Sequence, residues 1–146
     1  MTGFWKSWMT IWCWMTLGFG VLFAGAATPA TDAGARLFFD IVDGARHDPA
    51  LFDDPAMRFA QGLIGAIMIG WAMTLFTAVR AADLAGPAVW RGLTGAVIVW
   101  YAIDSAISVG TGFPINAVTN TLFVAGFLAP VVGSGVLRAH ARAATA

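Results

Sequence analysis

The chain has 146 residues, with eight Lys and Arg balanced by eight acids for a formal net charge of zero. It is 59% hydrophobic and 11% charged, with a mean hydropathy of +0.77. Soluble domains carry about a quarter charged residues, so this chain cannot cover a water-facing surface; it reads as a membrane protein, and the charge balance excludes a nucleic-acid partner.

A hydrocarbon core of about 30 Å takes roughly 20 apolar residues in helical form, and four segments supply them. The first, about 4–27, is charged only at Lys6, where a lysine can snorkel to the headgroups. Trp5, Trp8 and Trp12 fall on one face of it. For Trp5 and Trp8 an interfacial aromatic belt is the expected role. Trp12 and Trp14 lie deeper than a belt requires, and a stacking surface for a partner helix or a flat lipid-like ligand stays open for them. Cys13 in this run is the only cysteine, so no intrachain disulfide can form.

The connection 28–57 carries six aspartates. Within it, "TDAGARLFFDIVDG" predicts a short amphipathic helix, capped by Thr31 or Asp32 and ended by Gly44, with Leu37, Phe38, Ile41 and Val42 as its apolar face. Such a helix belongs on the membrane surface or over the mouth of the bundle. "HDPALFDDPAM" then reads as a turn-rich entry to the second span.

That second span, about 59–79, carries Gly62, Ala66 and Gly70 at four-residue spacing. Small residues in such a row allow close helix approach, within the chain or between copies. The third span covers about 87–109. The fourth covers about 114–137, with Pro114 in its first turn and Pro130 set to kink it. The expected fold class is therefore all-α, a single transmembrane four-helix bundle. Placing both termini in the cytoplasm puts Lys6, Arg80, Arg91, Arg138 and Arg142 inside and the acidic loop outside, in line with the positive-inside rule.

Between Arg91 and Arg138 the only Asp, Glu, Lys, Arg or His is Asp104, in "VIVWYAIDSAISVG". It lies 13 residues beyond Arg91, about 20 Å across the bilayer at 1.5 Å per residue, in the outer leaflet. Counting down from the outer ends puts Arg58 and Gln61 of span two and Asn116 and Asn120 of span four near the same depth, with Tyr101 and Ser108 on the helix of Asp104. An unpaired charge there costs several kcal/mol, so these groups are expected to satisfy one another, with the Arg58 guanidinium reaching in to Asp104. Such a cluster is either a clamp that fixes helix register or a polar pocket for a small molecule.

Catalytic and cofactor signals are sparse. Neither His47 nor His140 lies in a span, which argues against intramembrane haem ligation, and no Cys/His cluster suggests zinc. A metal site built from His47 and the loop aspartates is the weaker reading of a solvated loop. No cofactor and no metal are expected.

The four-helix plan, with "MRFAQGLIGAIMIGWAMT" opening the second span, resembles the small bacterial membrane proteins grouped with the DoxX-like families. The resemblance covers most of the chain as topology and implies a multi-pass inner-membrane location. The redox association of that name finds no reactive cysteine pair here. The expected role is a non-catalytic structural or accessory protein, embedded in the lipid bilayer and packing with other membrane proteins or with itself. The alternative is a binder of a small amphipathic or lipid-like molecule around Asp104; an enzyme using Asp104 as acid or base comes third. "AGA" at 24–26 after a lysine and an apolar run also matches a signal-peptide cleavage site, but the tryptophans and the length favour a retained span. Sequencing the mature N-terminus is expected to read from the first residues rather than from beyond Ala26.

Overall fold

The computed structural model describes residues 1–43 and 48–138. Gly44, Arg46, His47, His140 and Arg142 lie outside the described residues. Five α-helices follow in chain order: α1 (Gly3–Gly25), α2 (Ala33–Asp43), α3 (Pro55–Ala85), α4 (Pro87–Gly110) and α5 (Pro114–Gly133), with a 3-10 turn at Pro49–Asp53 before α3. No strand occurs among the described residues. α1, α3, α4 and α5 are each long and apolar enough to cross a membrane, so the chain is an all-α, multi-pass membrane protein. One end of the bundle holds the N-terminus and the α3–α4 turn, and is called the terminal end. The other holds α2, the 3-10 turn and the α4–α5 turn, and is called the loop end.

The helix boundaries follow local chemistry rather than the edges of the apolar runs. Asp54 caps α3 by accepting from the Ala56 amide at 2.7 Å, with Pro55 in the first turn. α3 therefore starts four residues before the expected span. It also continues past Arg80 to Ala85, because a charge marks where the chain leaves lipid and not where the helix must stop. Its 31 residues span about 46 Å, longer than the hydrocarbon core. Gly86 stops it with φ 89°, a value an L side chain resists, and Pro87 opens α4 at once. α5 ends at Gly133, earlier than the expected Leu137, and hydrogen-bonded turns carry the chain on to Arg138.

Two close helix pairs, α1 with α3 and α4 with α5, make up the bundle. In lipid no hydrophobic drive pulls helices together, so close backbone approach must supply the packing. α1 and α3 cross at Gly20 and Gly65. A Cβ on Gly20 would lie 2.8 Å from the Ile69 nitrogen, and one on Gly65 would overlap the Ala24 backbone. Gly62 adds a tight approach to Ala27. The expected row of Gly62, Ala66 and Gly70 is corrected here, since Ala66 and Gly70 are exposed and a Cβ on Gly70 meets nothing. Steps of four residues advance about 40° around a helix, so the row drifts off the contact face, whereas Gly62 and Gly65 stay on it.

The tryptophan face of α1 is the seam to α5. Trp5 packs on Gly133, where a Cβ would overlap its ring. Trp8 Nε1 donates to the Gly126 carbonyl at 2.8 Å, and Trp12 Nε1 donates to the Phe123 carbonyl at 2.9 Å. Pro130 explains the first of these bonds. Lacking an N–H, it leaves the Gly126 carbonyl four residues earlier without its helical donor, and the indole takes that place. Trp5 and Trp8 thus pack against α5, and Trp8 keeps 41% of its surface exposed. Trp12 is buried beside Phe127 and Phe123, while Trp14 is exposed and meets Phe76 edge-on.

The core fills the terminal half, where Met9, Trp12, Cys13, Leu75, Trp90, Val97, Phe127 and Val131 interlock. Gly65→Leu is expected to break the α1–α3 crossing, costing about 1–3 kcal/mol or preventing assembly, whereas Gly70→Leu stays within about 0.5 kcal/mol. Thermal unfolding of both variants in the same detergent compares them.

Candidate functional site

The loop half of the bundle is hollow. The solid core stops at an aromatic floor in which Trp71 meets Trp100 at 5.6 Å between ring centroids, and Trp100 meets Phe123 at 5.8 Å. Above this floor the helix pairs separate around a cavity of about 710 Å³, whose lining comes from all five helices. Phe19 and Phe23 of α1 wall one side, and Phe38, Phe39 and Val42 of α2 roof it. On the opposite side Ile67 of α3 and Ile103 and Ile107 of α4 line the cavity while remaining 63%, 58% and 59% exposed. The cavity is therefore open sideways between α3 and α4, toward lipid.

α2 takes its place as roof through a face that shares Phe38 and Val42 with the one its apolar pattern suggests but leaves out Leu37 and Ile41. Ala35, Phe38, Phe39 and Val42 face the bundle, whereas Leu37 and Ile41 are exposed. The helix carries apolar residues on two sides, and the periodicity alone does not rank them. Ring contacts of Phe38 with Phe19 and Phe23, and of Phe39 with Phe52 and Phe113, decide the matter.

Asp104 lies in the cavity wall. Its Oδ1 accepts from Asn120 Nδ2 at 2.7 Å and from Asn116 Nδ2 at 3.1 Å. Ser108 Oγ lies 3.2 Å from the same oxygen and 2.7 Å from the Asp104 backbone carbonyl, sharing one proton between them. Asn116 also donates to Ser108 Oγ at 2.8 Å. The contacts to the Asp104 carboxyl all fall on Oδ1; among the described residues no donor reaches Oδ2. Asp104 lies six residues before the end of α4 at Gly110, and Gln61 and Asn120 lie six residues after the starts of α3 and α5. At 1.5 Å per residue, all three sit about 9 Å below the loop end.

Gln61 lines the same cavity and is 5% exposed. Its Nε2 points at Met57 Sδ, 3.6 Å away, a sulfur that can only accept, so the amide oxygen is turned the other way. That oxygen is buried without a hydrogen-bond partner.

Two residues of the expected cluster stand elsewhere. Tyr101 points across to α5 and shares a 3.0 Å hydrogen bond with Thr121 Oγ1, away from the cavity. Arg58 does not reach Asp104. Its Nη2 lies 3.1 Å from Asp32 Oδ2 and its Nη1 donates to the Ala26 carbonyl at 3.2 Å. Arg58 sits in the first turn of α3, level with the loop, and a buried carboxylate already waits there. Arg36 completes the group with a 3.0 Å pair to Asp32 and a stack 4.6 Å above the Phe52 ring. An arginine clamp is thus built around Asp32, joining the end of α1, the start of α2 and the start of α3, while Asp104 ties α4 to α5 through Asn116 and Asn120.

Asp32 is the residue that pattern reading missed, because six loop aspartates look alike as solvated charges. Its signal is its place at the N-cap of α2, where its carbonyl accepts from Arg36 N at 3.0 Å. Among the described residues, no three of His, Cys, Asp and Glu come together to hold a metal ion. No protein-family model matches the chain, and comparisons with curated proteins and with solved structures find no match either.

The guanidiniums of Arg36 and then Arg58 hold the Asp32 carboxyl below the usual carboxylate range, against the opposing effect of its burial. A carboxylate depressed in the folded state adds stability that is present above its unfolded pKa of about 3.9 and lost as pH falls through the folded value. Thermal unfolding is therefore expected to be insensitive to this group down to about pH 4 and to weaken below it. Asp32→Asn should lower the melting temperature at pH 7 and flatten that acid limb.

Proposed function

We propose that the chain holds a small amphipathic or lipid-like molecule, taken up from the bilayer, in the loop-end cavity around Asp104. The observation that carries this reading is the cavity itself. About 710 Å³ lies within the range of small-molecule sites, roughly 300–1,000 Å³, and apolar walls with a few convergent polar groups are their usual make-up. The opening between α3 and α4 gives a ligand a route from lipid without crossing water.

An accessory role, packing against other membrane proteins, draws less support. The faces that would serve it are occupied within the chain, the tryptophan face by α5 and the glycines of α3 by α1. The exposed Ala66 and Gly70 are the part of that pattern still open to self-association. We also propose an inner membrane with both termini cytoplasmic. This orientation is supported by Lys6, Arg80, Arg91 and Arg138 clustering toward the terminal end, against the aspartates of the loop end. It places the cavity in the outer leaflet. Kinship with the DoxX-like families is a proposal on the four-helix plan alone.

Native mass spectrometry of the protein extracted from membranes is expected to show a bound small molecule of defined mass. Ile103→Trp, which fills the mouth of the cavity from an exposed position, should reduce its occupancy severalfold while the melting temperature of the ligand-free protein stays unchanged. Equal occupancy in the two proteins would refute the binding reading.

A further inference from the structure

The Asp104 carboxyl in the cavity has no cationic partner among the described residues. Asp104 receives neutral donors from Asn116, Asn120 and Ser108, and no Lys or Arg among the described residues pairs with it. The one arginine at this end of α3, Arg58, is engaged by Asp32. A carboxylate about 9 Å inside a bilayer-spanning bundle is costly to leave without a cation, since neutral hydrogen bonds orient the charge but do not cancel it.

Two further features point the same way. The neutral donors crowd onto Oδ1 and leave Oδ2 as an acceptor. Gln61, at the same depth in the cavity wall, has a buried amide oxygen with no donor, and its terminal torsion is broad enough to turn that oxygen inward. Both vacant polar atoms are acceptors. Trp71, Trp100 and Phe38 are among the residues lining the cavity, and aromatic rings attract cations through their faces and have no such attraction for anions.

We infer that the head group held at Asp104 is a protonated amine carried on a lipophilic body. This rests on the binding reading above and sharpens it. The ammonium meets Asp104 Oδ2 as countercharge and donates an N–H to Gln61 Oε1, while the apolar body lies along the aromatic wall and leaves through the α3–α4 opening. A lipid with an anionic head is disfavoured by Asp104. A neutral alcohol satisfies the acceptors but leaves the charge.

The test uses the full chain in phosphatidylcholine nanodiscs at pH 7, with three probes that share one chain length: dodecylamine, dodecanol and laurate. Native mass spectrometry titrations read the affinities, and ligand-induced shifts in melting temperature report the same order by linkage. Dodecylamine is expected to bind at least about tenfold more tightly than dodecanol, the range of a charge-assisted over a neutral hydrogen bond, with laurate weakest. Asp104→Asn should abolish the amine preference and leave dodecanol within about twofold. Gln61→Leu should weaken dodecylamine about three- to fivefold, and it serves alone if Asp104→Asn does not fold. Equal binding of amine and alcohol, or an amine preference untouched by the folded variants, overturns the amine inference while the binding reading stands. Binding of none of the three probes overturns both.

Discussion

Arg58 pairs with the buried Asp32, beside Arg36, and this pairing organises the loop end. The 3.1 Å contact to Asp32, with the 3.2 Å bond to the Ala26 carbonyl, fastens the first turn of α3 to the end of α1 and the start of α2. An arginine so placed satisfies a carbonyl that the end of α1 leaves without a helical donor, and a carboxylate that is itself buried. With α2 fixed at its N-terminus, Phe38 and Phe39 are held over the bundle. The same pairing withdraws Arg58 from Asp104. One interaction thus sets both the roof of the cavity and the charge left inside it.

The division of the bundle into a solid half and a hollow half follows from where the small residues lie. Gly20, Gly62 and Gly65 bring α1 and α3 into backbone contact, so that pair admits nothing between its members. α4 and α5 are bound to each other near the loop end by the Asp104, Asn116 and Asn120 hydrogen bonds and by Tyr101 with Thr121. Between the two pairs the terminal half is closed by Trp12, Trp90 and Phe127, which are large enough to fill it. The loop half has only the side walls of each pair, and α2 covers it from above rather than filling it. Small residues within the pairs and large ones at only one end leave a cavity between them.

The sequence made the four spans, the amphipathic α2 and the depth of Asp104 legible, because each depends on local periodicity or on counting residues along a helix. It placed Asn116, Asn120 and Ser108 beside Asp104 for the same reason, since a hairpin of two helices fixes which depths meet. What it could not rank were choices between equivalent partners. Arg58 could face Asp32 or Asp104; α2 could bury Leu37 and Ile41 or Phe39; α3 could pack through Ala66 and Gly70 or through Gly65. Each was decided by a neighbour distant in sequence. The tryptophan face is the instructive case: its spacing was visible, but the need for a donor at the Gly126 carbonyl arises from Pro130, more than a hundred residues away.

The manner in which Asp104 is held bears on what it can do. Had an arginine met it, the pair would be neutral, geometrically rigid and costly to open, as buried ion pairs are once formed. Two asparagines and a serine act differently. They fix the carboxyl in place by hydrogen bonding at Oδ1 and leave Oδ2 without a donor among the described residues. A carboxylate held by neutral donors keeps an affinity for a cation that a closed salt bridge has already used. In the same chain the loop-end carboxylate, Asp32, is given two arginines and becomes a fastening. The contrast between the two aspartates, one paired by the chain and one left to neutral donors, separates the part of the loop end that holds the fold from the part that is free to hold something else.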